Sequence, residues 1–241
     1  MRDRTFFPYS VAHGEAAAQH PIELALTSDE TRAFIATTLQ ALTEAPDTWS
    51  VAPAVVRKAR AEGKGPFPLE PLLDHAHWIE HEGVRLRVIE PQGREPRGVY
   101  LHFHGGGWVF GQADFQDPML ARIADATGLI CASVEYRLAP EHPFPAGPSD
   151  CVTAVGWAYA QGMPLVLGGE SAGGHLALLT ALTLRDAGVE TRGLVVNAGC
   201  YDLSLTPSVR EWGSDRLLLT TRDVANIVQN CVHSFMDNRA P

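Results

Sequence analysis

Pro164-Leu165-Val166-Leu167-Gly168-Gly169-Glu170-Ser171-Ala172-Gly173-Gly174-His175 is the stretch whose reading decides the fold. Its centre, Gly169 to Gly173, reads G-x-S-x-G. An apolar run (Pro164 to Leu167) precedes it and a helix-like run (His175 to Leu184) follows. A strand, a sharp turn and a helix make this motif a candidate nucleophile elbow. Such a turn forces the serine into a strained backbone conformation, while flanking glycines let strand and helix approach without a Cβ clash. Ser171 Oγ is then expected above the carboxyl end of a sheet, at a helix N-terminus whose dipole favours negative charge. The competing reading, a chance loop, leaves the flanking pattern unexplained.

A second stretch, Leu101-His102-Phe103-His104-Gly105-Gly106-Gly107-Trp108, follows another apolar run, Val99 to Leu101. Acyl transfer needs donors aimed at a developing oxyanion, and backbone N–H groups serve where the chain approaches closely. Three consecutive glycines allow that approach, and loops of this type partner the nucleophile elbow. The donors expected here are the amides of Gly105, Gly106 and Ala172. Standing alone, the loop would read equally well as a flexible glycine turn.

Three segments in this order carry a family resemblance: His104 to Trp108; Glu135-Tyr136-Arg137-Leu138-Ala139-Pro140-Glu141-His142-Pro143-Phe144-Pro145-Ala146; and Gly169 to Gly174. From about residue 78 onward the chain resembles the hormone-sensitive-lipase-like (bacterial family IV) carboxylesterases. The resemblance implies an α/β-hydrolase with an N-terminal helical cap that hydrolyses small carboxylic esters, usually with short acyl chains, and needs no cofactor or metal. Glu170 stands where many members carry Asp.

Periodicity fills in the rest. Residues 1–72 read as helical and punctuated by proline, and the resemblance makes them the cap. Thr27 and Glu30 offer a capping box before Ile35, Leu39 and Leu42 at helical spacing, and a second helix is expected over 54–61. From about residue 76 the pattern becomes strands alternating with helices. A hairpin around Glu82-Gly83 comes first. Strands at 98–103, 129–134, 165–167 and 193–197 then alternate with helices at 114–126, 148–161 and 175–186. This order predicts an α/β fold, a mostly parallel sheet with helices on both faces. A final helix begins near Thr220 and carries Val224, Ile227, Val228, Cys231, Val232 and Phe235 as an apolar stripe.

The 241 residues suggest one domain with a cap, 1–72, and a hydrolase core, 73–241. A net charge of −9 argues against a nucleic-acid role and offers no polybasic membrane patch. The first residues lack the apolar segment of a signal peptide, and no stretch is long enough to span a bilayer. The four scattered cysteines (131, 151, 200 and 231) read as reduced core residues of a cytoplasmic protein.

A serine hydroxyl needs an adjacent base, and in α/β-hydrolases the acid and then the histidine follow the serine in the chain. His233 is the only histidine after His175. It falls opposite the apolar stripe of a regular helix, so a triad of Ser171, Asp202 and His233 is the weaker reading. The stronger expectation is that the C-terminal strands and the catalytic acid and histidine are missing, and that this form is inactive or nearly so. A non-catalytic small-molecule-binding protein on an esterase scaffold is the alternative. Leu194-Val195-Val196 would then form an open edge, to be covered by a second copy or a C-terminal fragment. His175 reads as a packing residue and His104 as a support of the glycine loop. Asp74, His75, His77 and His81 read as a solvated strand edge, since no further ligand completes a metal site.

Overall fold

The computed structural model describes residues 28–44, 47–65, 69–214 and 219–237, with side chains described to residue 232 in the last helix. Two compact units divide the chain, residues 1–43 and 44–241. In the first, helix α1 (Asp29–Glu44) starts at Ser28, whose Oγ accepts the Thr31 amide at 3.1 Å. The cap is therefore one residue later than the sequence suggested; Thr27 lies outside the described residues. Residues 47–65, including α2 (Pro53–Ala61), belong to the second unit with the sheet and its helices.

That core holds β1 (His77–His81), β2 (Val84–Ile89), β3 (Val99–Phe103), α3 (Asp117–Thr127), β4 (Ile130–Glu135), α4 (Ala146–Ala160), β5 (Leu165–Glu170), α5 (Ala172–Asp186), β6 (Gly193–Asn197), α6 (Pro207–Trp212) and α7 (Thr221–Asp237). The six strands are ordered β1-β2-β4-β3-β5-β6. β4, β3, β5 and β6 run parallel, and β2 and β1 extend the sheet as an antiparallel hairpin. Alternation along the strands sends residues to two faces. Leu101, Phe103, Ala132, Val134, Leu165 and Leu167 pack with Cys151, Ala154 and Ala158 of α4 and Leu176 and Ala177 of α5. Tyr100, Cys131 and Ile89 pack with Leu120 and Ala124 of α3. This is the three-layer arrangement that the strand–helix alternation predicted.

Two polar features fix the framework. Arg87 of β2 and Asp117 at the start of α3 form a buried ion pair at 2.5 Å, and Asp117 also accepts the Leu73 amide. Thr220 and Asp223 cap α7 reciprocally: each side chain accepts the other's amide, at 3.1 and 2.8 Å. Helix α6 and a 3-10 turn at Thr48–Ser50 were not legible in the sequence. At the far side of the sheet, Leu194, Val195 and Val196 of β6 are 37%, 54% and 41% exposed. Among the described residues no helix is long and apolar enough to cross a membrane.

Candidate active site

β5 and α5 meet at Ser171, which adopts φ 53° and ψ −119°. This is a region that non-glycine residues occupy only at a cost of about 1–3 kcal/mol. The surroundings impose it. A Cβ on Gly169 would lie 2.4 Å from the Phe103 carbonyl oxygen, and one on Gly173 only 1.8 Å from that same atom. Helix α5 therefore rises directly against the end of β3, and the chain must turn at once. The Ser171 amide donates to the Asn197 carbonyl at 2.9 Å, so the end of β6 braces the turn. Ser171 is exposed, and the residue after it, Ala172, is buried.

The glycine loop leaves β3 beside this turn, since Phe103 pairs with Gly169. Its first amide, Gly105 N–H, donates to Glu170 Oε1 at 2.5 Å. Of the three donors expected from the sequence, Gly105 is thus already committed. Among the described residues, the amides of Gly106, Gly107 and Ala172 have no acceptor. They belong to the two turns that leave the paired ends of β3 and β5. The loop turns back through hydrogen bonds from Val109 and Phe110 to the Gly106 carbonyl.

Glu170, one residue before the serine, is the hub that sequence reasoning missed. Besides Gly105 it holds His102 Nε2 at 2.9 Å and accepts from Gln116 Nε2 at 2.7 Å. Burial pushes its carboxyl up, but the hydrogen bond and charge of His102, with the Gly105 and Gln116 donors, outweigh burial and hold it below the usual range. His102 in turn meets Ser133 Oγ at 3.2 Å across the β3–β4 pair. The signal was present: His102 is a polar residue in the otherwise apolar strand Val99–Phe103, and a buried polar group needs a partner.

The neighbouring histidines serve the loop. His104 is buried, stacks on Tyr136 with ring centroids 4.2 Å apart, and donates Nδ1–H to the Gly105 carbonyl at 2.8 Å. Burial lowers its pKa to about 4, against the opposing pull of that hydrogen bond. Tyr136 Oη donates to the His104 carbonyl at 2.8 Å. His175 contacts the Trp108 ring edge-on, and burial lowers its pKa too. In the 135–146 segment, Arg137 pairs with Asp150 of α4 at 2.8 Å. Glu141 pairs with Arg57 of α2 at 2.5 Å.

Among the described residues, Ser171 Oγ has no hydrogen-bond partner. Asp202 Oδ1 accepts the Ser204 amide and hydroxyl, at 2.9 and 2.5 Å, closing a local turn. The His233 side chain lies outside the described residues. Helix α7 reaches the loop through Ile227, whose Cγ2 would stand 2.8 Å from a Cβ on Gly107. No three His, Cys, Asp or Glu side chains among the described residues gather as a metal site. The four cysteines are free thiols, and burial pushes Cys131 up to about 12.

A family model described as the alpha/beta hydrolase fold matches residues 100–241. The chain belongs to the α/β-hydrolase fold family. Within that family it is 43% identical over 113 residues to a versiconal hemiacetal acetate esterase of Aspergillus parasiticus, covering 45% of this chain and 35% of that protein. It is 40% identical over 113 residues to carboxylesterase NlhH of Mycobacterium tuberculosis, covering 44% and 35%. The chain thus spans about a third of the length of these curated relatives. Among solved structures, it superposes on an esterase of the bacterial hormone-sensitive lipase family with a TM-score of 0.70 and 26% identity. That match covers 86% of this chain and 70% of the other. A hyperthermophilic esterase from Pyrobaculum calidifontis gives a TM-score of 0.68 and 27% identity, covering 84% and 69%.

Proposed function

We propose that the chain carries the nucleophile and oxyanion half of a serine carboxylesterase of the hormone-sensitive-lipase-like type, acting on small esters with short acyl chains. The observation that carries this reading is Ser171, strained and exposed, beside a glycine loop whose Gly106 and Gly107 amides are uncommitted. Ser171 Oγ attacks the ester carbonyl carbon while its proton passes to a base. The carbonyl oxygen becomes an oxyanion held by the amides of Gly106, Gly107 and Ala172. Collapse expels the alcohol, which takes up the proton, and leaves an acyl ester on Ser171. Water then releases the carboxylic acid. Gly105, anchored to Glu170, sets the loop in place and does not donate.

Among the described residues no imidazole or carboxylate reaches Ser171 Oγ, and the chain by itself is expected to be inactive or nearly so. The test is p-nitrophenyl acetate hydrolysis by the chain and by Ser171→Ala. Robust turnover lost in Ser171→Ala overturns the claim about the base. In any active form of the protein, Ser171→Ala should lower turnover by about 10⁴-fold or more, and retention of activity sinks the esterase reading.

A second reading rests on the unpartnered Ser171 hydroxyl: a small-molecule-binding protein on an esterase scaffold. Stoichiometric binding of an ester without hydrolysis favours it. In either case the exposed outer edge of β6 takes a further strand, from a second copy or a separate fragment.

A further inference from the structure

A cavity of about 170 Å³ is lined by Arg57, Arg60, Gln112, Phe115, Glu135 and Leu138, with Gly111 at its wall. None of Ser171, Gly106, Gly107 or Ala172 lines it, so it is a separate site. Its two arginines differ. Arg57 is spent: it donates to the Val109 and Ala139 carbonyls and pairs with Glu141. Arg60, one turn along α2, lies with its guanidinium 4.6 Å from the centre of the Phe110 ring. Among the described residues it has no hydrogen-bond acceptor and no ion pair. Burial pulls its pKa down with no opposing partner. Glu135 is the counterpart. Its Oε2 accepts the Ala113 amide at 2.6 Å, while Oε1 has no partner among the described residues. Burial, the largest influence, raises its pKa and Asp114 adds to that, against the pull of the Ala113 amide and of Arg85 on the adjoining strand.

Arg60 and Glu135 thus face one cavity with opposite charges, yet no ion pair within 4.0 Å joins them. Arg60 rests only on an aromatic face and Glu135 has only Arg85 as a nearby cation, so both half-buried charges are incompletely compensated, and a ligand that brings the opposite charge relieves that cost. An anion alone would satisfy Arg60 and meet repulsion from Glu135; a cation alone would do the reverse. We propose that this cavity binds the zwitterion of a small α-amino acid, its carboxylate on Arg60 and its ammonium on Glu135. Phe115 and Leu138 supply an apolar wall for a short side chain, and the volume admits a ligand the size of several waters.

The test is calorimetric titration of the 241-residue chain with alanine, propionate and propylamine. Alanine is expected to bind with a dissociation constant of about 1 mM, at least about tenfold tighter than either single-charge analogue. Arg60→Met should weaken alanine about tenfold or more, and Glu135→Gln should weaken alanine while leaving propionate unchanged or tighter. Thermal melts confirm that each variant is folded. If Arg60→Met is not, Arg60→Lys stands in and should also lose affinity, because lysine cannot offer the planar fork. Ser171→Ala should bind alanine as the parent does, which separates this site from ester hydrolysis. Alanine binding no tighter than propionate, no saturable alanine binding, or folded variants that bind as the parent would each overturn the assignment.

Discussion

Replacing Gly173 with alanine tests the contact that creates the turn. The new Cβ would sit 1.8 Å from the Phe103 carbonyl oxygen, 2.6 Å from its carbonyl carbon and 2.7 Å from the His104 oxygen. All three are backbone atoms, so no side-chain rotation relieves the clash. Real Cβ atoms keep about 3.0 Å, so α5 must withdraw from β3 by about 1.2 Å. Overpacking that shifts backbone costs about 1–3 kcal/mol and sometimes more. With three backbone atoms inside the limit, we expect about 3 kcal/mol. At a urea dependence of about 2–3 kcal/mol per molar, the unfolding midpoint falls by roughly 1 M. Gly193→Ala is the control: its Cβ would meet only Val166 methyl groups, at 3.8 and 3.9 Å, and should change stability by about 0.5 kcal/mol or less. The assay is urea denaturation followed by circular dichroism. A Gly173→Ala midpoint equal to that of Gly193→Ala refutes the close approach.

Asp117→Ala should cost about 3–5 kcal/mol in the same assay by leaving Arg87 buried and unpaired; the double change Arg87→Met with Asp117→Leu should recover most of it. Glu170→Gln should cost about 1–3 kcal/mol and speed hydrogen exchange at the Gly105 amide, which NMR reads directly. His104 titrates near 6.5 when unfolded and about 4 when folded. The unfolded chain therefore binds the extra proton between those values. The stability present above about pH 6.5 should decline by up to about 3 kcal/mol as pH falls toward 4. His104→Gln should flatten that decline relative to the parent, measured as urea midpoints at both ends of the window. Val195→Lys, a charge on the exposed edge of β6, should reduce self-association in light scattering; unchanged association means that the edge is not the contact.

The sheet was legible because short apolar runs bounded by glycine and proline mark buried strands, and all six strands appear within a few residues of their expected places. Ser171 was legible because its strain needs glycines at fixed offsets, and Gly169 and Gly173 are written in the chain. What escaped was the distribution of donors. The sequence could not tell that Glu170 would turn toward Gly105 and commit that amide, because the pairing depends on the register that sets Phe103 against Gly169. For the same reason the partner of Arg137 escaped, since Asp150 comes from the next helix. Helix α6, six residues long, was too short to show a period.

The seat of Ile227 on Gly107 ties the glycine loop to a helix more than a hundred positions later in the chain. During synthesis the serine turn and the loop emerge well before α7 does. Contacts of such long sequence separation form late, because a large loop must close first. The Gly106 and Gly107 amides would reach their final positions only after α7 docks. A ribosome-bound chain halted before Thr221 would then hold a slack loop, which a protease should cut more readily than the same loop in the finished molecule.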